Sequence, residues 1–193
     1  MAQLTTQEKI LRAAHKLLEK EGAAAVSMRR VAEAVGITPM AIYRHFANRD
    51  ALMKRISDDA FTAVADQWQQ HAQTTDLMQG LRHAMLNYLD YALRHPHMFD
   101  YSFSVARDDA RRFPDDFRAR LSPTLNVVAD LLAEAMRQGT LRAGDPWDVA
   151  MTLWAQGHGL IVLYRAGRFN YDEAQFRRFY LQSIGVLFDG IKA

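Results

Sequence analysis

The sequence predicts an all-α protein with a three-helix helix-turn-helix domain at residues 1–50 and a larger helical domain at residues 51–193. Two observations predict this fold class: apolar residues recur every three or four positions along most of the chain, and no segment alternates apolar and polar residues as a half-buried strand would. A third is that prolines and glycines fall between the periodic segments, where helices begin and end.

The three helices of the first domain have recognisable start and stop signals. Apolar residues at helical spacing predict the first helix at residues 7–21, and Gly22 ends it. Ser27 is suited to cap a short second helix. Thr38 caps the third, with Pro39 at the first helical position, where its missing N–H has no intrahelical partner to lose.

The remaining helices are predicted by the same periodicity. Asn48 caps a fourth helix that is expected to run to about Gln73. Further helices are predicted at 76–94, 97–104, 122–138, 146–166 and 172–191. The highly charged segment 105–121 is assigned no structure.

Composition limits the class of protein. Hydrophobic residues make up 49% of the 193-residue chain and charged residues 24%, as in globular proteins. There is no cysteine, which excludes disulfides and thiolate metal sites. No apolar run approaches the roughly 20 residues of a membrane span, and residues 1–7 lack the basic-then-apolar order of a secretory signal. A soluble cytoplasmic protein with no membrane partner is expected.

Charge is distributed unevenly along the chain. Residues 1–55 carry ten Lys or Arg against five Asp or Glu, a net +5. The remaining 14 basic and 17 acidic residues give residues 56–193 a net charge of −3. A basic end on a mildly acidic body favours a polyanionic partner at that end.

Residues 27–50 have the features of a helix-turn-helix. Gly36 supplies a tight turn, because glycine adopts positive φ without a steric penalty. Ile42 and Phe46 lie four residues apart and can pack inward, so the rest of this helix points outward: Met40, Ala41, Tyr43 and Arg44. An exposed helix start without long acidic side chains can enter the major groove of double-stranded DNA. The alternative is a simple three-helix packing unit with an exposed aromatic residue.

Residues 6–55 resemble the N-terminal domain of the tetracycline-repressor (TetR) family of transcription regulators. The matching segments are ILRAAHKLLEKEG, SMRRVAEAVGIT and AIYRHFANRDAL. The resemblance implies DNA contacts from Ser27, Arg29, Thr38, Pro39, Met40, Ala41, Tyr43, His45 and Arg49. Arg49 stands at the family's lysine position and suits a phosphate contact. Arg44 replaces an aromatic residue found in many members and can add a base or phosphate contact, so the sequence preference there is open.

The same resemblance implies a helical ligand-binding and dimerisation domain in the rest of the chain. Residues 150–164 are apolar almost all round, and residues 176–188 carry a wide apolar stripe. Such helices can face their own core and a partner chain, so the last two helices are expected to form a four-helix homodimer interface. The expected contacts are Leu153, Gly157, Leu160, Tyr164, Phe176, Phe179, Tyr180 and Leu187. One large monomeric core is the alternative.

Trp154 and His158, followed by Gly159, resemble the Trp and His-Gly residues of one C-terminal subgroup of this family. Both side chains share a helix face and can line a pocket for a largely apolar small-molecule effector. A core tryptophan with a histidine bonded to a carbonyl is the alternative. Other candidates for the pocket wall are Met85, Tyr88, Leu89, Phe99, Phe103, Leu125 and Asn126.

No catalytic residue, cofactor or metal is expected. His95 and His97, with Asp100 nearby, have the residue types of a metal site, but they flank a proline that starts a helix. There is no nucleophile elbow, phosphate-cradling glycine loop or HExxH pair.

The sequence therefore predicts a ligand-responsive DNA-binding regulator. The expected form is a homodimeric repressor that binds a palindromic operator and is released by a small molecule. The alternative is a helical ligand-binding or protein-interaction module whose helix-turn-helix head does not bind DNA.

Overall fold

A computed structural model describes residues 4–72, 76–103 and 107–193. In these residues the chain forms ten α-helices: α1 (Thr6–Glu21), α2 (Met28–Val35), α3 (Pro39–Tyr43), α4 (Arg49–Ala72), α5 (Leu77–Arg94), α6 (Pro96–Phe103), α7 (Asp115–Arg118), α8 (Pro123–Arg137), α9 (Pro146–Arg165) and α10 (Glu173–Ile191). The all-α prediction is confirmed. The predicted helix ends at Gln73 and residue 104, and parts of segments 1–7 and 105–121, lie outside the described residues.

By backbone contacts the chain divides into two units. The described residues within 1–62 and 93–108 form the first unit, and those within 63–92 and 109–193 form the second. Helix α4 contributes to both, since the division falls after Thr62. The functional boundary predicted between residues 50 and 51 stays a prediction.

The first unit is built on α1. Thr5 caps this helix, and the carboxylate of Glu8 accepts a hydrogen bond from the Thr5 N–H at 2.7 Å in a capping box. One face of α1 is fully buried through Ile10, Ala14 and Leu18. Helix α1 packs against α2 and α6, and α2 packs against α3. This packing holds the short α3 on a rigid base.

The second unit has its core between α5, α8, α9 and α10. Its fully buried side chains include Leu81, Leu89, Leu132, Leu153, Ile161, Phe176, Tyr180, Ile184 and Phe188. A Cβ on Gly157 would lie 2.6 Å from both Met85 Cε and Tyr180 Oη, so only glycine permits this approach of α9 to its neighbours. The Tyr180 hydroxyl donates to the Met85 carbonyl at 3.2 Å.

The C-terminal end of the chain is tied to the turn that follows α8. Leu141 and Lys192 form an isolated antiparallel bridge, and the Arg142 N–H donates to the Ile191 carbonyl at 2.9 Å. Within the described residues, no helix is both long enough and apolar enough to span a lipid bilayer.

Candidate DNA-binding surface and effector site

Local hydrogen bonds set the angle between α2 and α3. Ser27 Oγ accepts a backbone N–H in the first turn of α2 at 3.2 Å, as predicted. Gly36 ends α2 in the left-handed region (φ 76°, ψ 34°), and the Ile37 N–H then bonds back to α2 at 3.0 Å. Thr38 Oγ1 accepts a backbone N–H of α3 at 3.3 Å, with Pro39 in the first turn. The predicted turn and both caps are confirmed.

Helix α3 has one anchored face and one exposed face. Ile42 is fully buried and Phe46 is 6% exposed, which fixes the rotation of the helix. On the other side Met40 is 72% exposed and Tyr43 is 50% exposed. Together they place two large side chains on the exposed face of α3.

The other predicted DNA-contact residues lie around this exposed face or at the start of α2. Arg44 directly follows α3 as its C-cap residue. The exposed residues of the set are Arg29, Thr38, Pro39, Arg44 and His45, and the half-buried ones are Ser27 and Ala41. Whether each contacts DNA stays a prediction.

Arg49 has a contact that the sequence did not reveal. Its Nε and Nη2 atoms donate to the carbonyls of Val26 and Ala23 at 2.7 and 2.6 Å, and Nη1 lies 3.5 Å from Asp50. The planar guanidinium fork therefore joins the start of α4 to the loop after α1. Its first role is structural, and the phosphate contact stays a prediction.

Tyr88 connects Trp154 and His158 in the second unit. The Trp154 Nε1–H donates to Tyr88 Oη at 2.9 Å, and Tyr88 Oη lies 3.0 Å from His158 Nδ1. Tyr88 is only 6% exposed, whereas Trp154 and His158 are half-buried. His158 Nδ1 thus contacts a side-chain hydroxyl, and the pocket and core interpretations of Trp154 and His158 both stay predictions.

One of these two hydrogen bonds has a defined direction. An indole N–H only donates, so Tyr88 Oη accepts from Trp154. In a neutral imidazole, Nδ1 can either accept from the Tyr88 hydroxyl or donate to it, depending on the tautomer. Burial lowers the pKa of His158, which favours this neutral form, and burial also raises the pKa of Tyr88.

Phe117 extends this cluster and was missed by the sequence reasoning. It lies on the one-turn helix α7, is 6% exposed, and its ring centroid is 6.2 Å from that of Trp154. Charged residues flank Phe117 in the sequence, so no helical spacing of apolar residues is visible there. Pro114 directly before a short acidic turn was the only available signal.

The other predicted pocket residues do not all join this cluster. Met85, Leu89 and Leu125 are buried in the second unit. Phe99 and Phe103 belong to the first unit, where their ring centroids are 5.1 Å apart.

Asn126, a predicted pocket residue, has a hydrogen-bond partner for its amide nitrogen but none among the described residues for its amide oxygen. Its Nδ2 donates to the carbonyl of Arg120 at 2.9 Å. Arg120 has a positive φ of 63°, so this bond supports a strained turn. Asn126 Oδ1 is buried and accepts no hydrogen bond from the described residues.

The predicted dimer interface requires a correction. Leu153, Gly157, Phe176 and Tyr180 are buried in the core of their own unit and cannot contact a second chain in this conformation. Leu160, Tyr164, Phe179 and Leu187 are half-buried. The exposed apolar residues on α9 and α10 are instead Val162 (40%), Leu163 (47%) and Val186 (69%).

No cluster of three or more His, Asp or Glu side chains that could hold a metal occurs in the described part of the chain. His95 Nδ1, in the segment considered as a metal site, lies 3.1 Å from Glu19 Oε2.

Both halves of the chain match models of one protein family. Residues 10–56 match the model for bacterial regulatory proteins of the tetR family. Residues 81–184, more than half of the chain, match the model for the tetracyclin repressor-like C-terminal domain.

Individual proteins match over nearly the whole chain. The nucleoid occlusion factor SlmA of Serratia proteamaculans (strain 568) is 26% identical over 180 residues, covering 88% of this chain and 87% of that protein. The structure of the transcriptional regulator FadR from Bacillus subtilis in complex with stearoyl-CoA has a TM-score of 0.74 at 12% identity, covering 95% of this chain and 98% of that one. A TetR-family transcriptional regulator from Pectobacterium atrosepticum has a TM-score of 0.74 at 18% identity, covering 97% and 94%. At these identities the two structures show a shared fold.

Proposed function

Because the chain belongs to the tetracycline-repressor family of DNA-binding transcriptional regulators, we propose that it is a homodimeric repressor that leaves its operator when a small molecule binds. The observation that carries the proposal is α3, which is anchored through Ile42 and presents Met40 and Tyr43 to solvent. A DNA-reading helix needs this combination, since its base contacts depend on a fixed rotation.

The exposed side chains of α2 and α3 suit two kinds of DNA contact: some can contact base edges, and others can contact phosphates and so position the protein. The Met40 side chain is apolar and suits contact with thymine methyl groups in the major groove. The Tyr43 hydroxyl suits a phosphate oxygen, as do Arg29 and Ser27 at the start of α2. Arg44 can reach a guanine or a phosphate, because its guanidinium donates in a fork.

Replacement of Tyr43 by alanine tests this docking. A charge-assisted hydrogen bond to phosphate contributes about 1.5–3 kcal/mol, so Tyr43→Ala, which removes one such bond from each chain of the dimer, is expected to weaken binding about a hundredfold or more on all DNA sequences. Tyr171→Ala is the matched control, since Tyr171 is similarly exposed (43%) but lies in the second unit. Fluorescence anisotropy with a labelled duplex measures both. Unchanged affinity of the Tyr43 variant would contradict the proposed docking.

The effector site is proposed at Tyr88, Trp154 and His158. The buried hydroxyl holds both rings in place through its two hydrogen bonds, and the half-buried indole and imidazole can contact a largely apolar ligand. Trp154, His158 and Gly159 also support membership of the Trp/His-Gly subgroup. That assignment remains part of the proposal.

Release requires that the effector favours a conformation with lower DNA affinity. A typical coupling free energy between two such sites is about 1–3 kcal/mol. Helix α4 is the proposed carrier of the change, since residues 49–62 belong to the first unit and residues 63–72 to the second.

Stearoyl-CoA is a suitable first probe, because the Bacillus subtilis regulator FadR was crystallised with it. Apolar ligands of varied length then extend the panel, and DNA release and thermal stabilisation identify binders. With a binder in hand, His158→Gln is expected to raise the concentration needed for release several-fold without changing ligand-free DNA affinity. His83→Gln, another half-buried histidine of the second unit, is the control. Equal release of the His158 variant and wild type would contradict the proposed site.

The dimer is proposed to form through the outer faces of α9 and α10. Val162, Leu163 and Val186 expose apolar surface there, and an added Cβ at Gly159 or Gly185 would meet open space. Small and apolar residues on an exposed helix face suit close packing against a symmetry-related helix.

A further inference from the structure

Four cationic residues form a line along the exposed face of α1: Lys9, Arg12, Lys16 and Lys20. Their spacing of three and four residues places them on one side of the helix, roughly opposite the buried Ile10, Ala14 and Leu18. We name these four residues the α1 stripe. The stripe is separate from the exposed face of α3.

The α1 stripe is uncompensated, unlike most other cations of the first unit. Arg30 pairs with Glu21 at 3.0 Å, and Lys54 and Arg55 each pair with an aspartate four residues along α4. No described residue forms an ion pair or a side-chain hydrogen bond with any cation of the stripe. Among the described residues, the stripe therefore presents four unpaired positive charges on one face of α1.

The acidic residues of α1 are engaged elsewhere. Glu8 bonds to the N–H and hydroxyl of Thr5, and Glu19 lies 3.1 Å from His95 Nδ1. Glu21 accepts two hydrogen bonds from Arg30. An anion that approaches the stripe thus meets four cations whose neighbouring carboxylates already have partners.

We propose that the α1 stripe binds the phosphate backbone of DNA that flanks the base pairs read by α3. This inference rests on the proposed DNA-binding function. Lys9 and Lys20 are eleven residues apart, about 16 Å along a helix. A parallel duplex of that length carries roughly ten phosphate charges, one per about 1.7 Å.

The stripe and the exposed face of α3 belong to different helices. Helix α1 packs against α2 and α6, whereas α3 packs against α2. The proposal therefore assigns to the stripe phosphates other than those that Tyr43 reaches. Such contacts add affinity without sequence preference, because phosphates carry no base information.

A lipid surface fits the stripe less well than DNA does. Helices that lie on membranes insert an apolar face among the acyl chains. The apolar face of α1 is buried in the first unit through Ile10, Ala14 and Leu18, each 0% exposed. Only the cationic face is available, which favours a rigid polyanion.

The test uses the double variant Arg12→Gln/Lys16→Gln in the full chain. Glutamine has a helix propensity close to that of lysine and arginine, so the fold is expected to be retained. The control is Arg82→Gln/Arg168→Gln, which removes two exposed cations from the second unit. Each protein is titrated by fluorescence anisotropy against an operator selected from random DNA, placed in duplexes of about 20 and about 40 base pairs.

On the longer duplex, the slope of log affinity against log salt is expected to fall by about 3.6 for the stripe variant, since two contacts are lost from each chain of the dimer and each contributes about 0.9. The matching affinity loss at about 0.1 M salt is up to about 4,000-fold, with little change on the shorter duplex or in the control. Equal losses on both duplexes, or equal losses in the control, would overturn the flanking site.

Two further outcomes separate this inference from the proposed function. Wild-type affinity of the stripe variant on the longer duplex, with an unchanged thermal midpoint, would contradict the inference alone. Failure of the wild-type protein to bind either duplex would contradict the proposed function itself, and the inference with it.

Discussion

The two units of this regulator acquire their candidate functional surfaces in different ways. In the first unit, Ser27, Gly36 and Thr38 set the α2–α3 angle through bonds to residues at most five positions away. In the second unit, Tyr88 bonds to side chains 66 and 70 residues away. The candidate DNA-reading surface is thus encoded in a short segment, whereas the proposed effector site forms only after distant helices have packed.

This difference has a consequence for substitutions. A change in α3 is expected to alter DNA contact directly and locally. A change in α9 is expected to act through core packing or through dimer assembly, because one face of α9 is buried in its own unit and the other carries the proposed dimer contacts.

Leu163→Glu is expected to have the largest effect, because it places a charge on the exposed apolar face of α9. We expect a monomer by analytical ultracentrifugation and a loss of operator affinity of about a hundredfold or more, since bivalent binding adds a factor of roughly 10²–10⁴. Leu121→Glu introduces the same charge at another exposed leucine (53%) and is expected to leave both properties unchanged. A dimeric Leu163 variant with normal affinity would refute the proposed interface.

Gly157→Ala tests the opposite face of α9. The new Cβ would lie 2.6 Å from Tyr180 Oη, and that hydroxyl is held by its bond to the Met85 carbonyl. Overpacking of this kind costs about 1–3 kcal/mol in the free energy of unfolding, measured by urea titration. Gly190→Ala, where no atom lies within 4 Å, is the control. If both variants are equally stable, Gly157 does not have the buried role described here.

The pH dependence of stability gives the smallest expected effect. Because burial lowers the pKa of His158, the unfolded chain takes up this proton first as pH falls below about 6.5. The stabilisation is present at higher pH and is lost progressively as pH falls from there toward the folded-state pKa. The thermal midpoint of His158→Gln should therefore fall less between about pH 7.5 and 5.5 than that of wild type or of His45→Gln. Identical pH profiles for all three proteins would be inconsistent with a half-buried neutral imidazole.

The difference between local and long-range contacts also explains which features could be predicted from the sequence. The α2–α3 turn, its caps and the exposure of Met40 and Tyr43 follow from residues that are adjacent in the chain. Arg49 was assigned only to DNA, because its partners are carbonyls 23 and 26 residues earlier, and such contacts leave no local pattern.

Helix α9 shows the limit of periodicity most clearly. A helix that is apolar almost all round has no single amphipathic face. The sequence therefore predicts that both sides of α9 are buried, but it does not predict which side packs in the protomer core and which side contacts a partner chain. Leu153 and Gly157 were assigned to the dimer and lie in the protomer core, whereas Val162 and Leu163 are exposed. The packing of α5 and α10 decides between the two faces.

The central claim is that two copies of the α3 helix read one operator. Hydroxyl-radical footprinting of the wild-type protein on an operator selected from random DNA tests this most directly. We expect two protected half-sites about 10–10.5 base pairs apart, roughly 34–36 Å, in a complex containing two chains. A single protected half-site bound by one chain, or protection without symmetry, would contradict the account.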